Sequence, residues 1–208
     1  MHAVGVLLAA GSSRRMGRLK QLLPFGDHAA LEQGVFNYRA AGVGATVVVL
    51  GHAPGVIRAE LAGLFASEDV LSIVNERHEE GMFSSVQCGV AAASGGGYDA
   101  ALLSLVDQPF IPPSVYTAVL KAHAATGALV TIPTFDGHRG HPVALSSAVY
   151  DAILHPDDPS TNLREVIRAH ESDTHVVPVN ASEILRDMDL PAEYAEELRR
   201  WLSGRREK

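Results

Sequence analysis

The chain has 208 residues, 47% hydrophobic and 20% charged, with 17 Lys and Arg against 24 Asp and Glu and a formal net charge of −7. That balance excludes a nonspecific nucleic-acid binder, and a single cysteine excludes an internal disulfide. No apolar run approaches the ~20 residues of a membrane helix, and the first residues lack the basic region of a signal peptide. The expectation is a soluble, cytoplasmic, single-domain protein spanning 1–208.

Residues 4–9 form a continuous apolar run, the pattern of a strand buried on both faces of a parallel sheet. A glycine-bounded polar loop (11–17) follows, then a helix over 29–41 stopped by Gly42. Strands are expected at 46–50, 70–74 and 100–106, with helices at 54–65 and 84–93 between them. After the fourth strand come a helix at 112–126, a strand at 128–132, a polar loop at 134–140, a short strand at 142–145 and a helix at 147–154. Ser160 or Thr161 is the expected N-cap of a helix reaching His170. Short strands at 176–179 and 184–188 lead to a last helix at 191–202. Strands alternating with helices give an α/β fold, a three-layer sandwich on a mostly parallel sheet. In such sheets ligands bind beyond the carboxyl ends of strands where the strand order reverses. This ranks the loops at 10–20, 75–82 and 107–109 as the candidate site.

The charge is unevenly spread. Arg14, Arg15, Arg18 and Lys20 place four of the 17 cations in seven residues, five more lie at 199–208, and only eight lie between 21 and 198. The basic C-terminal run reads as a solvated, frayed tail rather than a nucleic-acid patch. The basic loop near the N-terminus directly follows a strand. Gly11 and its small neighbours let the backbone approach a ligand, and the amides with the Ser12 and Ser13 hydroxyls can donate to phosphate oxygens. Arg15 and Lys20 add charge where oxyanion charge accumulates. The loop is neither a Walker A motif nor a GxGxxG fingerprint. Read alone, it is either a phosphate grip or a solvated basic turn.

The run Leu8-Ala9-Ala10-Gly11-x-Ser13-x-Arg15-Met16-Gly17-x-x-Lys20-x-Leu22-Leu23-Pro24 resembles the signature of the MobA/MocA-like nucleotidyltransferases, the cytidylyl- and guanylyltransferases of molybdenum cofactor maturation. Four later motifs recur in that family's order: Asn75 with Gly81-Met82-x-x-Ser85, Asp107-Gln108-Pro109, Arg139-Gly140-His141-Pro142-Val143, and Asp187-Met188-Asp189-x-Pro191. Leu190 departs from the family, which usually has Thr there. The resemblance implies a Rossmann-like fold similar to nucleotide-diphospho-sugar transferases, with a nucleotide-binding half at about 1–110 and an acceptor-binding half at about 111–198. It implies that Leu8, Ala9, Ala10 and Gly11 border base and ribose, that Ser12, Ser13, Arg15 and Lys20 hold the triphosphate, and that Gly81, Met82 and Ser85 complete the nucleotide pocket. Gln108, Arg139, Gly140, His141 and Pro142 would line the acceptor pocket; the residues themselves leave a plain polar hairpin open. Asp107 would bind Mg²⁺.

Asp107 ends an apolar strand, where packing does not need a carboxylate. Mg²⁺ takes one or two carboxylates plus water and phosphate oxygens, and motif position favours Asp189 as the second ligand, with Asp187 in reserve. Both late aspartates could instead flank the helix near Pro191. Arg15, Lys20 and Asp107 are the expected catalytic residues. The implied reaction moves a nucleoside monophosphate, CMP by the Ala9-Ala10 pair and otherwise GMP, from the triphosphate to the phosphate of a pterin cofactor. Other implications are a molybdoenzyme or chaperone partner and a monomer or weak homo-oligomer, with no nucleic acid or membrane partner. Two alternatives stand: transfer to a sugar phosphate or other small phosphate, and a nucleotide-binding regulator without turnover. Cys88 is expected as a core thiol and Trp201 as the anchor of the last helix.

Overall fold

A computed structural model describes residues 1–206, with side chains through Gly204. In chain order the elements are β1 (Ala3–Ala9), β2 (Pro24–Phe25), β3 (His28–Ala29), α1 (Ala30–Ala40), β4 (Thr46–Leu50), α2 (Pro54–Glu60), α3 (Ala62–Phe65), β5 (Val70–Val74), α4 (Met82–Gly95), β6 (Ala100–Leu105), α5 (Pro113–Thr126), β7 (Val130–Phe135), β8 (His138–Arg139), β9 (Val143–Ser146), α6 (Tyr150–Leu154), α7 (Leu163–Ala169), β10 (Thr174–Pro178) and α8 (Pro191–Arg206). The main sheet runs β10-β7-β9-β6-β1-β4-β5, with β8 attached to β7 as a hairpin. β1 pairs in parallel with both β4 and β6, whereas β9 is antiparallel to β6 and β7. The chain leaves β1 for β4 and β5, then returns to β6 on β1's other side. The carboxyl ends of β1 and β6 therefore form the switch point.

The expected three layers are present. Alternate residues of β1 serve opposite cores: Leu7 and Ala9 pack with α1, α5 and α2, and Val4, Val6 and Leu8 with α4, α6 and α7. Burial on both faces is why these strands read as unbroken apolar runs. Gly5 is required by close approach, because a Cβ there would fall 2.8 Å from the Tyr38 ring of α1. The Tyr38 hydroxyl reaches through this gap and donates to the Leu102 carbonyl at 2.8 Å, with Ser104 Oγ at 2.7 Å. It thereby ties α1 to β6, the strand that leads into Asp107. Tyr38→Phe is expected to lower stability by about 1–3 kcal/mol, since it strands buried polar partners. Urea unfolding with an unchanged m-value checks this.

Several local expectations are corrected. The helix expected over 54–65 is two, broken at Leu61 (φ −111°, ψ 34°). The N-cap of α7 is Asn162, which forms a reciprocal capping box with Glu165. The loop expected over 134–140 pairs as the β7–β8 hairpin. The strand expected at 184–188 is a 3₁₀ turn, Ser182–Leu185, followed by an extended segment, whose backbone bonds go to Gln108 and Asp107 rather than to a sheet neighbour. Helix α8 continues through residues assigned to a frayed tail, as far as Arg206; Lys208 lies outside the described residues. Trp201 anchors that helix as expected, its ring centroid 5.0 Å from that of Phe25. Cys88 is half-buried rather than fully in the core.

Candidate active site

The loop after β1 is shaped by its own polar residues. Ser13 adopts a left-handed conformation (φ 53°) that starts the 3₁₀ turn Arg14–Met16, and Gly17 (φ 68°) ends it. Ser13 Oγ accepts from the Lys20 amide at 3.1 Å, so this hydroxyl fixes the start of the Lys20 turn. Gln21, wholly buried, donates from Nε2 to the carbonyls of Ala9 (2.6 Å) and Gly11 (3.1 Å) and staples the loop to the strand end. Sequence reasoning passed over Gln21. Its only signal is an amide between the motif's lysine and leucine.

Three other segments meet this loop. After β6, the Val106 amide donates to the Leu8 carbonyl at 3.0 Å, which brings Asp107 beside the loop. The Met188 amide donates to the Asp107 carbonyl at 3.1 Å, drawing in the extended segment that carries Asp189. At the amino end of α4, Asn75 Nδ2 donates to Ser84 Oγ (2.8 Å) and Ser85 Oγ (3.0 Å), and Gly81 takes φ 110° to turn into the helix. The α4 amino terminus thus faces the loop with free amides, favourable to an anion.

Together these segments enclose a cavity of about 370 Å³. Leu8, Ala10, Gly11, Ser12, Ser13, Arg15 and Lys20 line it from the first loop, with Gly81, Met82, Ser85, Asp107 and Asp189 opposite. Ala9 does not: its side chain turns into the core, as period-two alternation along β1 requires. Five lining residues, Arg14, Gln21, His78, Leu105 and Val106, are not among the expected site residues, Arg14 appearing only as part of the basic cluster. The residues expected to bind the acceptor do not line this cavity. Gln108 is buried and donates to the Arg186 carbonyl at 2.7 Å. Arg139 is exposed and ion-paired to Glu171. Gly140 presses on the 182–185 turn, where a Cβ would fall 2.2 Å from the Ile184 carbonyl oxygen. Burial pushes the His141 imidazole down to about 4, so near neutral pH it offers hydrogen bonds and no charge. The peptide between it and Pro142 is cis.

Lys20 is the electrostatic centre. It is 8% exposed, and its Nζ lies 3.4 Å from Asp107 Oδ2 and in closer contact with Asp189 Oδ1; Arg15 pairs with Asp189 Oδ2. Burial, then the neighbouring Asp189 and Asp187, raise the Asp107 carboxyl against the opposing pull of Lys20. Burial also acts upward on Asp189, but Lys20 and Arg15 outweigh it and hold that carboxyl below its ordinary value. Asp187 is raised, by burial and then by Asp189 and Glu193. Asp107 Oδ1 is buried without a hydrogen-bond partner among the described residues. An unpaired carboxylate oxygen next to a second carboxylate on the same ammonium is a donor set that fits a hard divalent cation. Among the described residues no group of three or more His, Cys, Asp or Glu side chains is placed to hold a metal.

Residues 5–176 match the MobA-like NTP transferase domain. The chain belongs to this family. Among MobA-like relatives, the molybdenum cofactor cytidylyltransferase of Escherichia coli is 25% identical over 191 residues, covering 91% of this chain and 92% of the relative. Nicotine blue oxidoreductase of Paenarthrobacter nicotinovorans is 32% identical over 157 residues, covering 72% and 73%. In structure, Rv0371c of Mycobacterium tuberculosis superposes with a TM-score of 0.81 at 25% identity over 95% of this chain and 97% of that one. The family assignment makes the chain a nucleotidyltransferase on a Rossmann-like α/β fold. No helix among the described residues is long and apolar enough to cross a membrane.

Proposed function

We propose that this chain transfers CMP from CTP to the phosphate of a molybdopterin-type acceptor with release of pyrophosphate, in the cytoplasm and dependent on Mg²⁺. The observation that carries the reading is the convergence of the first loop, Lys20, Asp107 and Asp189 on one cavity at the sheet's switch point. Fold alone does not choose an activity, as the oxidoreductase name of one relative illustrates; the phosphate-gripping loop and the paired carboxylates favour nucleotidyl transfer. The preference for CTP rests on the family-like Ala10. Ala10 lines the cavity.

In this mechanism an acceptor phosphate oxygen attacks the α-phosphorus, and the bond from that phosphorus to the bridging oxygen of pyrophosphate breaks. A phosphate monoester is largely dianionic at neutral pH, with a second pKa near ~6, so no protein base is needed. What remains is positioning and charge neutralisation. Loop amides, Ser12 and the α4 amino terminus orient the triphosphate, and Lys20 and Arg15 meet the charge that builds on the leaving pyrophosphate. Mg²⁺ held by Asp107 and Asp189 would supply further neutralisation at the phosphates. Partners under this reading are the nucleotide, a pterin-type phosphate and a recipient molybdoenzyme or its chaperone.

A matrix of four nucleoside triphosphates against molybdopterin and sugar 1-phosphates, read as pyrophosphate release with Mg²⁺, tests the reading. The expected result is turnover with molybdopterin and CTP above GTP. Turnover with a sugar phosphate alone would replace the acceptor, and tight nucleotide binding without turnover would favour a regulator.

A further inference from the structure

We propose that Asp189 is an electrostatic gate: by holding Lys20 and Arg15 itself, it turns away a triphosphate that arrives without a divalent cation. The inference rests on the nucleotidyl-transfer reading above and deepens it. Both oxygens of this one carboxylate engage the two side chains that phosphate oxygens would need, Lys20 through Oδ1 and Arg15 through Oδ2. The Lys20 pair is the stronger, since the Lys20 side chain is 10% exposed and that of Arg15 is 69% exposed and well screened.

The backbone that carries Asp189 is fixed in place. Glu193 Oε2 accepts from the Asp189 and Leu190 amides at 2.9 and 2.8 Å, and the preceding Met188 is wholly buried and bonded to Asp107. A phosphate that takes the two cations therefore displaces a carboxylate whose backbone stays beside the site. The surroundings add to the effect. Asp107 and Asp187 stand beside Asp189 and also draw on Lys20, while Arg14, the third cation on the cavity lining, is exposed and 4.0 Å from Glu79. A bare triphosphate has to displace Asp189 from both cations with nothing to offset the loss, whereas one that brings a divalent ion supplies the charge that Asp107 and Asp189 can take up. The gate thus selects the metal-bound form of the substrate, a property that a basic loop alone would not give.

Calorimetric titration of CTP, GTP and inorganic tripolyphosphate into the wild type and into Asp189→Asn, each with EDTA and with Mg²⁺, tests the proposal. Asp189→Ala serves as a second variant that lacks the amide's hydrogen bonds. The expected result is that both variants bind the metal-free nucleotides and tripolyphosphate at least about tenfold tighter than the wild type does, and that the advantage given by Mg²⁺ shrinks accordingly. A residue that only ligated metal would weaken the Mg²⁺ titrations and leave the EDTA titrations unchanged. That outcome, or weaker metal-free binding by the variants, overturns the gate. If neither nucleotide binds the wild type with Mg²⁺, the transfer reading fails instead, and the tripolyphosphate titrations still report on the gate.

Discussion

Asp107→Asn is expected to reduce nucleotidyl transfer by about 1,000-fold, the scale of losing one preorganised charge at a phosphoryl centre, while the melting temperature in EDTA stays the same or rises. The two halves of this result have one cause. Asp107 lies two residues beyond the end of β6 at the switch point, one of its oxygens is buried without a partner among the described residues, and burial raises its carboxyl above the ordinary value. A carboxyl whose pKa is raised on folding contributes stability below its unfolded pKa of about 3.9, and that contribution is lost as pH rises through the folded value. At neutral pH the charged Asp107 is therefore a net cost to the fold, held for function. The amide keeps the shape and removes that cost, and Lys20 retains Asp189 as its partner. Initial rates of pyrophosphate release and thermal melts in EDTA measure both halves. A rate near that of the wild type would remove Asp107 from the machinery; a large loss of stability would mean that the carboxylate serves packing.

The parts of this fold that were legible in the sequence are those whose pattern follows directly from burial. β1, β4 and β6 are covered on both faces, so they appear as continuous apolar runs, and the loops at their carboxyl ends follow from topology. The parts that were not legible depend on competition between equivalent local choices. Ser160, Thr161 and Asn162 can each cap a helix, and only the residue with Glu165 three positions on completes the reciprocal box. Ile184, Leu185 and Met188 suit a strand by composition. The buried pair, Ile184 and Met188, is four residues apart and lies in one core, a spacing that a strand satisfies equally, so the pattern does not reveal the 3₁₀ turn at Ser182–Leu185. At the site, sequence gave the residue types but not their partners. The basic loop announced Arg15 and Lys20, yet that both face Asp189 is a long-range fact, separated by 174 and 169 positions. Gln21 illustrates the same limit, since a buried amide that closes a loop has no periodic signature.

Lys20→Met should show how closely the cation and the carboxylates depend on each other. The substitution keeps most of the buried stem and removes the charge that Asp107 and Asp189 share. Two neighbouring carboxylates are then left with Arg15, which is mostly exposed and reaches only Asp189. Removing one partner of a fully buried pair costs about 3–5 kcal/mol; because both aspartate side chains keep roughly a quarter of their exposure here, about 1–2 kcal/mol at pH 7 is expected. The sign with pH follows from linkage. Without Lys20, Asp107 loses the main influence that lowers its pKa, and its carboxyl moves further upward. The deficit relative to wild type should then shrink as acid protonates the pair, and the variant should gain more from Mg²⁺ in a thermal melt than the wild type does. In kinetics, transfer should fall by about 100- to 1,000-fold. How that loss divides is informative. A fall in kcat with little change in KM means that Lys20 acts chiefly on the leaving pyrophosphate; a rise in KM at constant kcat means that it binds the triphosphate equally in ground and transition states. Since Lys20 sits between the two carboxylates rather than at the mouth of the cavity, the first pattern is expected, with Arg15→Ala giving the second.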